Sequence, residues 1–227
     1  MIKSLVKRTP IVRDIARGAL KLLAQGRQKD FDSGDYWEGR YKAGGNSGAG
    51  SYNRLAVYKA DVLNRFVEDN AVASVIEFGS GDGAQLQLAR YPSYTGVDVS
   101  QTAVAATRSL FAADPTKRFI LSDEVGPSDR AELSLSLDVI YHLIEDSVFE
   151  RYMQQLFDAA TRFVIIYSSD EERPVEAVHV RHRKFTDWVA RNRPDFALTG
   201  HEKNPYPESG SDIDNTSFAD FYYFERT

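Results

Sequence analysis

The chain contains no cysteine, which excludes disulfides, a thiol nucleophile and thiolate-held zinc or iron–sulfur clusters. It also lacks any run approaching the roughly 18 to 20 uncharged apolar residues that a bilayer span requires. The N-terminus has no uninterrupted apolar core of the signal-peptide kind, so the expected location is the cytoplasm. Internal repeats and low-complexity tracts are missing too. So is an excess of positive charge: 28 Lys and Arg stand against 33 Asp and Glu, a net −5. That balance argues against a face given over to phosphates, and nucleic acid is not an expected partner. What remains is 227 residues of which 42% are hydrophobic, enough for one well-cored domain with a small appendage.

The charge is unevenly spread. Residues 1 to 29 carry eight Lys or Arg against the single Asp14, a local +7 that leaves −12 for the rest. Leu5, Val6, Ile11, Val12, Ile15, Ala16, Leu20, Leu22 and Leu23 fall there in loosely helical spacing, with Pro10 as a break or helix start. A basic amphipathic helix is expected. It could rest on anionic lipid as a peripheral membrane contact, or pack on the body.

Further along, Phe31 to Tyr52 is rich in Gly, Ser and aromatics and reads as a short turn of helix followed by a flexible loop. Leu55 to Asn70 has a helical apolar pattern. The run Ala73 to Phe78 stops abruptly at Gly79, as a buried strand does at a tight turn. The unit then recurs. Helices are expected over Ala84–Arg90, Gln101–Ala113, Ser147–Ala160 and Thr186–Asn192, and strands over Tyr94–Val99, Arg118–Leu121, Leu133–Ile140 and Arg162–Ser168, with a late strand pair in Phe218–Phe224. Alternation of this kind implies an α/β fold, a mostly parallel sheet covered by helices on both faces.

In such sheets ligands sit beyond the C-terminal strand ends, against the first strand-to-helix turn. Here that turn is Glu77-Phe78-Gly79-Ser80-Gly81-Asp82-Gly83. Its glycines permit positive φ and close approach of a ligand to backbone. The spacing is G-x-G-x-G, not the G-x-G-x-x-G of dinucleotide folds, and a carboxylate two positions before the first glycine suits an ammonium group better than a pyrophosphate. Asp98 ends the second strand, where a carboxylate can accept both hydroxyl protons of a ribose.

Val75–Gly83 followed by Tyr94–Val99 resembles the first two motifs of class I S-adenosylmethionine-dependent methyltransferases, and the ordered strands extend the resemblance over about residues 70 to 170. It implies a Rossmann-like three-layer sandwich with a seven-stranded sheet and an N-terminal helical lid. It further implies S-adenosylmethionine as cofactor, with Glu77, Gly79, Ser80, Gly81 and Gly83 on its methionine portion, Asp98 at the ribose, Val99 as a further cofactor contact, and Asp123 and Glu124 at the adenine edge. The division that follows is a basic helix and glycine-rich lid segment over 1–52 and a methyltransferase domain over 53–227. Tyr36–Ser51 resembles the lid, with Trp37, Arg40 or Tyr41 capping the cofactor, although its glycines also suit an ordinary connection.

Methyl transfer is an in-line displacement, and a hydroxyl acceptor must lose its proton. At the end of the fourth strand His142 is a candidate base, with Asp138 and Asp146 to orient it, though a histidine there can also be structural. Carboxylates at two neighbouring strand ends, Asp138 with Asp170 and Glu171, could hold Mg²⁺, as in the sugar and catechol O-methyltransferases they resemble, or form a solvated loop. Tyr141, His182, Arg183 and Trp188 are candidate acceptor contacts, the basic cluster suiting a phosphorylated, carboxylated or hydroxyl-rich ligand. Asn204-Pro205-Tyr206 resembles the catalytic turn of adenine N-methyltransferases but follows the fifth strand, and is read as a plain turn.

The chain as a whole resembles bacterial methyltransferases that accompany glycan biosynthesis. The expected activity is O-methylation of a sugar or oligosaccharide. Methylation of a phenol or carboxylate metabolite, and a non-catalytic cofactor-binding subunit, are the alternatives. Either a monomer or a homodimer fits, since apolar helix faces occur without a heptad pattern.

Overall fold

The computed structural model describes residues 31–175 and 177–227. The basic segment 1–29, and with it most of the expected lipid-binding helix, lies outside the described residues.

The chain begins with helix α1 (Ser33–Lys42), longer than the single turn expected, followed by a strap over residues 43–52 and helix α2 (Asn53–Asp69). Then come β1 (Val75–Phe78), β2 (Tyr94–Asp98), α3 (Gln101–Leu110), β3 (Lys117–Leu121), β4 (Ala131–Leu137), α4 (Asp146–Asp158) and β5 (Ala160–Ser168). Helix α5 (Phe185–Asn192) and strands β6 (Phe196–Glu202) and β7 (Asp220–Arg226) complete it. The sheet order is β3-β2-β1-β4-β5-β7-β6. Strands β1 to β5 pair with one another in parallel, and β7 runs antiparallel to both β5 and β6. This is the expected seven-stranded Rossmann-like sandwich. The order reverses between β2-β1 and β4, so the crevice opens above the C-terminal ends of β1, β2 and β4.

Period-two alternation in β5 explains the layers. Phe163, Ile165 and Tyr167 face one core with Val62, Leu63 and Val67 of α2. Val164 and Ile166 face the other with Met153, Leu156 and Phe157 of α4 and Phe185, Trp188 and Val189 of α5. In β4 the leucines at 133, 135 and 137 share the α2 side, while Ser134 and Ser136 are small enough to let α4 approach from the other. Tyr152 OH of α4 donates to Phe78 O at 3.0 Å and shares a hydrogen bond of 2.7 Å with the Ser136 hydroxyl, tying that helix to the first turn of the crevice.

Two elements differ from expectation. The helix expected over Ala84–Arg90 is only a 3-10 turn, Gln85–Leu88. Asn64 of α2 takes Leu88 O with its amide and accepts from Arg90 N, which pulls the chain out of helical register. The late strand pair expected within Phe218–Phe224 is a single strand there, β7, and its partner β6 comes from Phe196–Glu202, where no strand is expected. Its sequence offers Thr199 as the only β-branched residue and is mostly exposed on the sheet edge, so pairing with β7 forms it rather than local preference. Among the described residues no helix is long and apolar enough to cross a membrane.

Candidate functional site

The crevice holds a cavity with about 970 Å³ of empty volume, part of it open to solvent. Its floor is Phe78, Gly79 and Gly81 of the first turn, its near wall Val97, Asp98 and Val99, its far wall Leu137 to Val139, and its roof the lid residues Ser33, Gly34, Trp37, Tyr41, Ser47 and Ser51.

Sharp chain reversal makes the floor. Gly79, Gly81 and Gly83 all have positive φ. A Cβ on Gly79 would strike Val139, and one on Gly81 would strike Ser47 of the strap. Gly79 N and Ser80 N both donate to Val97 O, at 2.7 and 3.0 Å, which binds the turn to β2. Asp98 Oδ2 accepts from Gly81 N at 2.8 Å and Oδ1 from Ser100 N at 2.9 Å. Burial pushes its carboxyl upward despite these donors. Asp98 lines the cavity, and a carboxylate's lone pairs beyond those taken by backbone N–H groups can accept from a ligand hydroxyl.

The lid is fastened at three places. Ser33 donates through N and Oγ to Glu145 at 2.9 and 2.5 Å, on the loop before α4. Glu38 accepts from Ser100 Oγ at 2.5 Å and from Thr102 N and Oγ1 at the start of α3. The Ser100 hydroxyl and the Thr102 amide hold the Glu38 carboxyl down at about 2. Asp82, inside the glycine turn, accepts from Ser47 N and Tyr52 OH, both at 2.8 Å. Helix α1 thus bridges the crevice from the β4 side to the β2 side. Gly50 lies so close to Asp138 that a Cβ there would come within 2.5 Å of its Oδ2.

His142 lines the cavity in the short turn after β4. Its Nδ1 is 2.8 Å from His179 O, a bond that fixes the proton on Nδ1 and leaves Nε2 as the acceptor. The ring of His179 stacks on His142 at 5.6 Å and on Tyr36 of the lid at 5.2 Å, while Trp37 meets His142 edge-on at 5.0 Å. Burial lowers the His142 imidazole to about 4, so it is neutral at pH 7.

Asp138 also lines the cavity, with φ of 61° at the end of β4. It does not orient His142. Its Oδ2 pairs with Lys59 Nζ at 2.6 Å and its Oδ1 accepts from Tyr141 OH at 2.9 Å. Lys59 is 1% exposed; burying both ions requires this close partnership. Asp146 does not reach His142 either, being paired with Arg183 at 2.6 Å and Arg181 at 3.1 Å.

Several expected site residues serve elsewhere. Glu77 is buried and turned to Tyr94 OH at 2.7 Å, off the cavity wall. Ser80 packs its Oγ toward Gly96 of β2, and Gly83 is a packing point, where a Cβ would lie 2.9 Å from Phe111. Ser122, not Asp123 or Glu124, lines the cavity beyond β3; Glu124 accepts from Leu121 N at 3.0 Å. Arg40 lies 5.6 Å above Trp37 and holds Asn46 of the strap, which makes it a support of the lid rather than part of the cavity wall.

The magnesium set does not assemble. Asp170 caps α5 by accepting from Thr186 N at 3.0 Å and Thr186 Oγ1 at 2.6 Å, and Glu171 pairs with Arg173 at 3.2 Å. With Asp138 committed to Lys59, the donors do not converge, and among the described residues no group of three or more His, Asp or Glu could hold a metal ion.

The acceptor contacts fare similarly. Trp188 is 4% exposed, donates to Glu150 at 2.9 Å and packs in the α4–α5 core. Arg183 lies over Phe149 and donates to Leu143 O and Ile144 O. His182 is buried with Nδ1 2.6 Å from Ser169 Oγ, and Tyr141 is buried behind Asp138. Asn204 accepts from Tyr206 N at 2.9 Å, a turn as expected there, and donates to Asp220 Oδ1 and Ser217 O, which ties it to the start of β7.

Lys59, Ser33, Ser47, Glu145, His179 and the α4 residues Arg151 and Gln155 also belong to the site or its supports. None carries a motif. Only the unusual Lys59 on the apolar face of α2, between Ala56, Ala60, Val62 and Leu63, marked its position in the sequence.

A scan against protein-family models and a search of curated proteins gave no match. Solved structures do match. Magnesium protoporphyrin IX methyltransferase (ChlM) from Synechocystis PCC 6803 with bound SAH superposes with a TM-score of 0.56 at 15% identity, over 75% of this chain and 82% of that one. N-methyltransferase NodS from Bradyrhizobium japonicum WM9, also with S-adenosyl-L-homocysteine, gives 0.58 at 12% identity, over 76% and 87%. The methyltransferase domain of bacterial CtHen1-C gives 0.57 at 15% identity, over 74% and 96%. At these identities the likeness shows the fold, which is that of class I methyltransferases.

Proposed function

We propose that this chain is an S-adenosylmethionine-dependent methyltransferase acting on a hydroxyl of a sugar or oligosaccharide. The observation that carries the methyltransferase reading is Asp98: a buried carboxylate at the end of β2, facing a cavity floored by left-handed glycines and roofed by a fastened lid. Asp98 has acceptor sites for a ribose diol, and Val97, Val99, Val139 and Leu143 offer an apolar slot for a planar base. S-adenosylmethionine, when bound, supplies an electrophilic methyl group on a sulfonium. The chain's own residues exclude water through the lid and align the acceptor in line with that methyl.

His142 supports the hydroxyl reading. Its Nδ1 is committed to His179 O, so Nε2 is the atom that takes the acceptor proton as the new bond forms. Tyr36, Trp37 and His179, all partly exposed, form an aromatic cluster with His142 beside which a sugar's C–H side can rest. No step uses a metal, because the candidate ligands are engaged with other partners.

The test is transfer of labelled methyl from S-adenosylmethionine to a panel of mono- and oligosaccharides, phenols, carboxylates and short RNA, with magnesium and with chelator. Label in a sugar, equal in both conditions, is the expected result. Label only in another class would replace the sugar reading. Cofactor binding without transfer to anything would favour a non-catalytic subunit.

A further inference from the structure

Two polar side chains line the cavity close together just beyond β4, and they differ in what they offer a ligand. His142 presents one acceptor atom, Nε2, because Nδ1 is held by His179 O. Asp138 presents a carboxylate. Lys59 Nζ at 2.6 Å and Tyr141 OH at 2.9 Å bond it from within the protein, both residues being buried. The carboxylate still lines the cavity, with 15% of its side chain exposed. Gly50 of the strap meets it without a side chain, at a point where a Cβ would fall 2.5 Å from Oδ2. Tyr141 joins the two groups, its hydroxyl on Asp138 and its ring 4.5 Å from that of His142. Burial lowers the His142 imidazole, and the charge of nearby Asp138 opposes that shift.

The partners of Asp138 narrow what it can hold. Both are donors, and the lone pairs they leave can only accept. Lys59 already balances its charge, so a second cation, such as the ammonium of an amino acid, meets a neutral pair and the repulsion of a buried lysine. A hydroxyl meets an acceptor without that opposition. Other polar groups of the lid are taken, Ser33 by Glu145, and Tyr41 and Ser47 by each other.

We propose that Asp138 and His142 together receive a vicinal diol of the acceptor. His142 Nε2 takes the proton of the hydroxyl that is methylated, and Asp138 accepts a hydrogen bond from the hydroxyl on the neighbouring carbon. The acceptor is then a sugar with a free hydroxyl beside the methylated one. This rests on the sugar reading above. The acceptor oxygen bonds the methyl carbon, the carbon–sulfur electron pair stays with sulfur, and the hydroxyl proton passes to Nε2. Asp138 gains no proton. Lys59 touches no ligand and is a positioning residue that acts through Asp138.

Labelled methyl transfer by the full chain to the methyl glycosides of glucose, galactose, mannose and rhamnose tests this. The methylated position of the best acceptor is mapped by NMR, and analogues lacking the hydroxyl on either neighbouring carbon are compared with it. One of the two should lose at least about tenfold in kcat/KM, as for a hydrogen bond to a charged acceptor. Asp138→Asn should narrow that ratio to about threefold or less. Lys59→Met combined with Asp138→Asn removes both buried ions together and gives the same comparison if the single variant does not fold. Calorimetric binding of S-adenosylhomocysteine, and of 5′-methylthioadenosine, which lacks the amino-acid end, should be unchanged in both variants. Full activity of both deoxygenated analogues, or a wild-type ratio kept by the variants, would overturn the proposal. So would variants that bind S-adenosylhomocysteine weakly and methylthioadenosine normally, which would give Asp138 to the ammonium. Transfer to none of the sugars by a chain that binds the cofactor would instead overturn the sugar reading.

Discussion

The two halves of the crevice are built on different plans. On the β1–β2 side, the motif residues Gly79, Gly81 and Asp98 meet in one cavity wall because a turn and the adjacent strand end bring them together over a short stretch of chain. On the β4–β5 side, residues of equally promising chemistry are taken by the fold: Asp170 caps α5, Arg183 holds the loop before α4, and Trp188 fills the core. Backbone geometry makes the first side and leaves its polar groups partly free. Side chains make the second side, and a side chain that closes a fold is no longer available to a ligand.

Substitutions can break or sharpen that contrast. The largest effect is expected from Trp188→Ala, which should cost about 3 kcal/mol of stability as a large core truncation. Urea unfolding reads it; unaltered stability with weakened acceptor binding would return Trp188 to the acceptor site. Next, His142→Ala should lower turnover by at least about a hundredfold with little change in cofactor affinity. Initial rates beside a binding isotherm separate the two, and unchanged turnover removes the base role.

Asp98→Ala should weaken cofactor binding by more than about tenfold, the loss of a charge-assisted contact. A binding isotherm like that of the wild type would show that the β2 end is not where the cofactor is held. The smallest effect belongs to Asp170→Ala, about 1 kcal/mol in unfolding free energy for a lost helix cap. Its transfer rate should stay unaltered by chelator, whereas a rate lost to chelator in the wild type and already absent in the variant would restore the metal site.

How far the sequence could be read follows the same division. The glycine turn and Asp98 were legible because their roles depend on backbone conformation and on position at a strand end. The fastening of the lid was not. Ser33 with Glu145 and Glu38 with Ser100 are separated by 112 and 62 residues, and ordinary Ser and Glu residues carry no sign of such partners. Glu77 shows the limit even inside a motif. The G-x-G-x-G spacing marks it, but strand alternation turns it to Tyr94 and away from the cavity.

By itself the sequence determined the alternating α/β order, the tight first turn and the carboxylate ending β2, since hydrophobic period and glycine conformational freedom act over a few residues. Tertiary structure alone decided that α1 closes over the crevice, that Lys59 neutralises Asp138, that His179 fixes the proton of His142, and that Asp138, Asp170 and Glu171 do not converge on a metal. Each of those outcomes is a competition for partners in a buried space, where a polar group must be satisfied by whatever packing brings within about 3 Å. Packing joins residues that the chain keeps far apart.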